Sequence, residues 1–130
     1  MYSIEITKPA ENDILDAARY INDQLLNKTA AQRLLDEAEK AILSLDNMPE
    51  RHAIVSDEAL AKLGIRFMPV LNYTVFYVVR ENKKTVVIQR FLYSRRDWST
   101  ILKDEKTALR LLTERAGNDK ISAQKQRENS

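Results

Sequence analysis

The sequence predicts an α+β fold in the order β-α-α-β-β-β-α, an antiparallel sheet with a helical hairpin packed on one face. Three observations carry that prediction. Apolar residues recur at helical spacing in two successive stretches between residues 9 and 46, with alanine prominent in both. The break between those stretches is very short, at residues 27–29. Runs rich in Val, Tyr, Phe and Ile then crowd residues 65–93.

Each element has its own signal. Tyr2, Ile4 and Ile6 alternate with polar residues across residues 1–7, the pattern of a half-buried strand. A helix follows, with Thr7 or Lys8 at the cap, Pro9 in the first turn, and Glu11 and Asp13 favouring the N-terminal dipole. Ile14, Ala17, Ala18, Ile21 and Leu25 fall on one stripe. Thr29 caps a second helix whose stripe is Ala31, Leu34, Leu35, Ala38, Ile42 and Leu45, and Asp46, Asn47 and Pro49 end it. Two amphipathic helices so closely linked lie antiparallel. Residues 47–63 read as irregular apart from a helical turn near 58–62. Gly64 opens the strand "IRFMPVL", and "NYTVFYVVR" and "TVVIQRFLY" form a hairpin through "ENKK". A last helix begins near Asp97 and continues through "DWSTILKDEKTALRLL". The expected organisation is one domain over residues 1–104, a helical extension over 105–116 and a disordered tail over 117–130. With the hairpin on one side, the other face of the sheet is expected to stay open and concave.

Composition narrows the function. The chain has 130 residues, 44% hydrophobic and 31% charged, which suits a soluble globular protein. It has no cysteine, which removes disulfides, thiolate chemistry and cysteine-based zinc sites. Its start is unlike a signal peptide and no window approaches a membrane span, so a cytoplasmic protein without a membrane partner is expected. Two glycines leave no phosphate-cradling loop, and one histidine makes a catalytic zinc improbable; neither cofactor nor metal is expected. The net charge of +2 hides an asymmetry. Residues 1–58 carry six Lys/Arg against twelve Asp/Glu, residues 59–104 carry nine against three, and residues 105–130 carry six against four. An acidic helical layer beside a basic strand region follows.

The basic residues cluster with aromatics. "RFLYSRRDW" gathers Arg90, Arg95 and Arg96 around Phe91, Tyr93 and Trp98, with Asp97 its only acid. Arg66 and Arg90 each stand as the single charge inside an apolar strand, and such a charge must reach solvent or be paired. One reading makes them, with Arg95, Arg96, Tyr73, Tyr77, Tyr93 and Trp98, a groove for a phosphate backbone with stacking surface. The other makes Arg66 and Arg90 structural, bridging Asp97 or the helix acids. His52, in "PERHAI", reads as an ordinary surface residue, and Ser94 has no histidine nearby in sequence. Asp16, Asp36, Glu37 and Glu39 read as a solvated helix face, and Phe67, Phe76 and Phe91 as core.

Taken together, "IEITKPA", "NDILDAARYI", "MPER", "LGIRFMPVLNYTVFYVV" and "TVVIQRFLYSRRDW" resemble the RelE/ParE superfamily of bacterial toxins from type II toxin–antitoxin modules, over roughly residues 2–103. The resemblance implies a growth-inhibiting toxin of the plasmid-stabilisation kind, held inactive by a cognate antitoxin protein and meeting DNA only indirectly, through the antitoxin complex. It implies one of two targets. RelE-like members cleave mRNA in the ribosome, which would give Arg66, Tyr93, Arg95 and Arg96 catalytic roles. ParE-like members poison DNA gyrase and are not nucleases. Target or antitoxin binding would then fall to Arg66, Arg90, Arg95, Arg96 and Trp98. The ending "YSRRDW" departs from the nucleases, which carry a His/Tyr pair or a later tyrosine. Residues 1–104 also balance fifteen basic against fifteen acidic side chains, poor equipment for binding a polyanion. The ending is closer to the ParE-like branch. Gyrase poisoning is therefore the expected action, with ribosome-dependent mRNA cleavage as one alternative and a mild or inactive toxin kept for antitoxin binding as another.

Overall fold

A computed structural model of the chain describes residues 1–104. They fall into two compact units, one spanning Met1–Arg96 and a second that begins at Asp97. The first contains β1 (Ser3–Ile6), α1 (Lys8–Asp23), α2 (Lys28–Leu43), α3 (Glu58–Lys62), β2 (Arg66–Val70), β3 (Tyr73–Arg80) and β4 (Thr85–Tyr93), and α4 (Trp98–Leu102) lies in the second. Single 3-10 turns occupy Ser44–Asp46, Pro49–Arg51 and Glu81–Lys83.

The sheet order is β1-β4-β3-β2. The last three strands form the expected antiparallel meander, with Arg66 opposite Tyr77 and Tyr73 opposite Tyr93. β1 joins the far side of β4 in parallel, from Ser3 opposite Thr85 to Ile6 opposite Ile88. β4 is thus paired on both sides over its first half and open on one side afterwards. Tyr2 ties the start of β1 to the β3–β4 turn. Its hydroxyl donates to Glu81 at 2.6 Å, and Lys84 sits 5.1 Å from its ring centre.

Helical hairpin and sheet close one core. Ala10, Ala17, Leu34, Ala38, Ile42 and Leu45 pack with Met68, Val70, Val75, Tyr77, Val86, Ile88 and Phe91. Ile88 and Phe91 are three residues apart yet share this face. A bulge explains it: Tyr77 stands opposite Ile88 but Phe76 opposite Arg90, so Gln89 is the extra residue that resets the alternation. Nothing in the residue types of "VVIQRF" announces this bulge.

Thr7 caps α1 and also ties it to the sheet. Its hydroxyl accepts from Ala10 N–H at 3.3 Å and donates to the Ile88 carbonyl at 2.8 Å. For α2 the cap is Asn27 rather than Thr29: the Asn27 side chain accepts from Ala30 N–H at 3.0 Å and its carbonyl takes Ala31 N–H. The helix accordingly starts earlier than expected. Leu25 leaves the α1 stripe because the helix ends at Asp23, and its side chain is exposed.

Two further expectations change. The second face of the sheet is not open, because Phe76, Val78, Val87 and Leu92, which alternate away from the hairpin, are all buried. Among the described residues the helix expected to run on from Asp97 breaks at Leu102, where the Lys103 and Asp104 N–H groups turn back onto the Ser99 and Ile101 carbonyls. The extension and tail expected over 105–116 and 117–130 lie outside the described residues.

Candidate functional site: an aromatic cleft beside the open half of β4

The residues singled out from the sequence go to different places. Arg66 is held by a loop. Its Nη1 donates to the His52 carbonyl at 2.6 Å and the Glu50 carbonyl at 3.2 Å. Tyr77 beside it donates its hydroxyl to the Pro49 carbonyl at 2.6 Å. Arg51 fastens the same loop to the end of α2 by donating to the Ser44 hydroxyl at 3.0 Å, and it also donates to the Asn47 and Met48 carbonyls at 2.8 and 3.1 Å. Arg66 therefore satisfies loop carbonyls, a partner that neither reading of the sequence named. Burial pushes the Tyr77 phenol up to about 12. His52 meets Tyr77 edge-on at 6.4 Å, and its Nε2 is buried without a hydrogen-bond partner among the described residues. Desolvation, then the Arg51 charge, holds His52 below its ordinary value.

Arg90 goes elsewhere. Its Nε and Nη2 donate to the two carboxylate oxygens of Asp13 at 2.6 and 3.0 Å, a two-pronged pair with side chains 20% and 15% exposed. The same carboxylate accepts the Phe91 backbone N–H at 3.0 Å. That amide points out of β4 just past the end of β1, where a strand neighbour is missing. Asp13 fills the vacancy, so one α1 side chain satisfies a strand edge and a strand arginine together. From sequence Asp13 reads only as a first-turn acid.

Beyond Asp13 lies a cleft of about 660 Å³ between the C-terminal half of α1 and the ends of β3 and β4. Its wall is aromatic: Tyr73 stacks on Phe91 with ring centres 5.0 Å apart and meets Tyr93 edge-on at 5.6 Å. Ala17, Tyr20 and Ile21 line it from α1 and Leu25 from the segment just after that helix, and Asn72 and Arg96 stand at the β end. Burial raises the Tyr73 phenol above its ordinary value, with smaller contributions from Tyr93 and Tyr20. The turn after β4 is held by Ser94 N–H on the Asn72 carbonyl at 2.9 Å and Arg96 N–H on the Tyr93 carbonyl at 3.0 Å. Tyr93, Arg95 and Arg96 are all exposed. The Arg96 side chain has no hydrogen bond or ion pair among the described residues. Trp98 is half-buried and opens α4 in the second unit, where Asp97 caps the helix. Hydrogen bonds from the Thr100 hydroxyl and N–H keep the Asp97 carboxyl below its usual range.

The structure thus joins Tyr93 with Arg96 and sets Arg90 nearby through Asp13, but keeps Arg66 apart. Arg66 is level with Tyr77 and Tyr93 with Tyr73, four residues along β3, or about 13 Å at strand spacing. No single group of side chains gathers all four residues that RNA cleavage would use. The cleft residues missed from sequence are Asp13, Tyr20 and Asn72. Tyr20 lies off the α1 apolar stripe, and that misplacement was the available signal.

This strand order, with the hairpin on one face, defines a RelE/ParE-type toxin fold. A chromosomal ParDE toxin–antitoxin system from P. aeruginosa superposes with a TM-score of 0.59 at 17% identity, covering 72% of this chain and 96% of that one. The RelBE2 toxin–antitoxin complex from Mycobacterium tuberculosis gives 0.51 at 23% identity, covering 71% and 90%. No curated protein matches the sequence. The family described as the ParE toxin of the type II toxin–antitoxin system parDE matches residues 4–98. The chain belongs to this ParE toxin family, and it is a type II toxin.

Proposed function

We propose that this toxin arrests bacterial growth in the cytoplasm by poisoning DNA gyrase, without cleaving RNA, and that a cognate antitoxin neutralises it. The observation that carries the choice of target is the engagement of Arg66. A guanidinium bonded to the Glu50 and His52 carbonyls is a structural group rather than a phosphate contact. Arg90 is matched to Asp13. That leaves Arg95 and Arg96 as the exposed basic pair after β4, a small surface for a polyanion but an adequate one for a protein target. Among the described residues the cleft lining offers tyrosines and no histidine, and its two carboxylates are engaged, Asp13 by Arg90 and the Phe91 amide and Asp16 by Arg19.

Pulse labelling after induction without antitoxin tests the proposal. Thymidine incorporation falls before methionine incorporation, and purified chain converts supercoiled DNA to cleaved products only when gyrase is present. Methionine incorporation falling first, with mRNA cut on ribosomes, would replace gyrase with the ribosome as target.

A further inference from the structure

We infer that His52 is an acid-operated latch: when its ring takes up a proton, the segment 49–52 lets go of the sheet and Arg66 is set free. The inference goes beyond the toxin reading and does not depend on the choice of target. It stands on how the segment is fastened and on where the His52 ring sits.

Three hydrogen bonds fasten residues 49–52 to β2 and β3, and all of them end on backbone carbonyls. The Tyr77 hydroxyl donates to Pro49, and Arg66 Nη1 donates to Glu50 and to His52. The chain then runs along β2, with the Phe67 N–H on the Ala53 carbonyl at 3.1 Å and the Val55 N–H on the Ile65 carbonyl at 3.0 Å. Pro49 is buried, but Glu50, Arg51, Ala53 and Ile54 are exposed. Few bonds and little buried surface are the marks of a region that opens locally. Met48, where the segment begins, is held at φ 50° with its side chain exposed, so the closed form carries strain at its entry.

The His52 ring lies inside this clasp. It meets Tyr77 edge-on, and Nε2 is buried with no hydrogen-bond partner among the described residues. A neutral imidazole tolerates that, because one ring nitrogen is then a bare acceptor. An imidazolium donates from both nitrogens, so Nε2 would bring a proton and charge to a place with nothing to receive them. The ionisable groups around the ring offer no relief. Arg51 in its own segment and Arg66 from β2 are cations, Tyr77 from β3 already donates to Pro49, and Glu50 is exposed. Desolvation and the Arg51 charge accordingly oppose the proton while the clasp is shut. The ring gains its proton by leaving, and it takes along the carbonyl that Arg66 holds at 2.6 Å. Acid thus shifts the segment toward an open form in which the Arg66 guanidinium and the Tyr77 hydroxyl meet water. His52 is the only histidine in the chain, so no other side chain has its ordinary value between about pH 5.5 and 7.5.

Hydrogen exchange followed by NMR on the full chain, at about pH 7.5 and 5.5, tests the latch. Each rate is divided by the intrinsic rate at that pH to give an opening constant. The constants for the Phe67 N–H and the Arg66 guanidinium should rise several-fold on acidification, up to the roughly tenfold ceiling that a single proton sets. The Thr7 N–H, bonded to the Ile88 carbonyl at the opposite edge of the sheet, should stay within about twofold. In His52→Gln, whose fold is checked by its circular dichroism melting curve, the pH dependence should vanish. The wild-type comparison of Phe67 with Thr7 decides the matter even where that variant unfolds. Opening constants that stay level while the His52 ring titrates would mean that the ring turns out without loosening the segment, and would overturn the latch. An equal rise at Thr7, or an undiminished rise in folded His52→Gln, would overturn it as well.

Discussion

Asp13→Ala is the most demanding test of how the site is held. The carboxylate accepts three hydrogen bonds, two from Arg90 and one from the Phe91 amide, at 2.6 to 3.0 Å. Removing one partner of a buried ion pair costs about 3–5 kcal/mol, chiefly because the remaining charge stays desolvated. With the two side chains 20% and 15% exposed, water relieves part of that penalty. A loss of about 2–4 kcal/mol is expected. For a domain of this size that lowers Tm by roughly 8–20 °C. Asp13→Asn keeps an acceptor for Phe91 and should lose about half as much. Urea unfolding followed by circular dichroism gives the free energies. Adding Arg90→Met to Asp13→Ala should recover part of the loss, because the stranded charge is gone while the Phe91 amide still lacks its acceptor. A loss below about 0.5 kcal/mol for Asp13→Ala, or no recovery in the double variant, would refute the view that Asp13 closes the sheet edge.

Arg66→Ala should cost about 1–3 kcal/mol by leaving loop carbonyls unsatisfied, and any lost toxicity should follow lost folded protein. Arg95→Ala with Arg96→Ala should keep the melting curve and abolish growth arrest; full arrest would remove this turn from the action. Tyr77, with its phenol raised to about 12 by burial, should ionise last in an ultraviolet titration. Its folded value lies above the unfolded value of about 10, so its contribution is complete below pH 10 and disappears as pH rises toward 12; ionisation alongside the exposed tyrosines would contradict this. His52 is displaced the other way, so its contribution is present above about pH 6.5 and fades as pH falls through the lower folded value. An NMR titration midpoint at or above 6.5 would contradict its burial. Leu71→Gly, which relieves a positive φ, should stabilise the chain by about 0.5–1 kcal/mol, read as a raised urea midpoint.

Local patterns carried the architecture into view. The helix stripes, the cap at Thr7, the turn at 58–62 and the three Val- and Tyr-rich strands were all readable, because each rests on neighbours in sequence. What stayed hidden depends on residues far apart. The parallel seat of β1 against β4 joins Ile6 to Ile88, and no periodicity encodes which edge a first strand takes. The bulge at Gln89 depends on register with β3. Arg90 was readable as a charge needing a partner and a helix acid was among the candidates, but the choice of Asp13 requires the geometry of the strand edge. Arg66 shows the converse case. Its partners are carbonyls, which every residue carries, so side-chain chemistry could not point to them. The cleft was legible only in fragments, as Tyr73, Tyr93 and Arg96 on one side and the unassigned Tyr20 on the other.

The pairing of the first strand with the last bears on when this toxin becomes dangerous to the cell that makes it. Residues 3–6 wait for residues 85–88, and β3 has no inner neighbour until β4 arrives. The hairpin of α1 and α2 can form early, but the wall it packs against cannot. Closing the sheet is therefore a late event in synthesis, and a ribosome that stops before β4 leaves a fragment with neither the aromatic wall nor the arginine turn. The topology itself withholds the finished sheet, and the arginine turn with it, until β4 has been made.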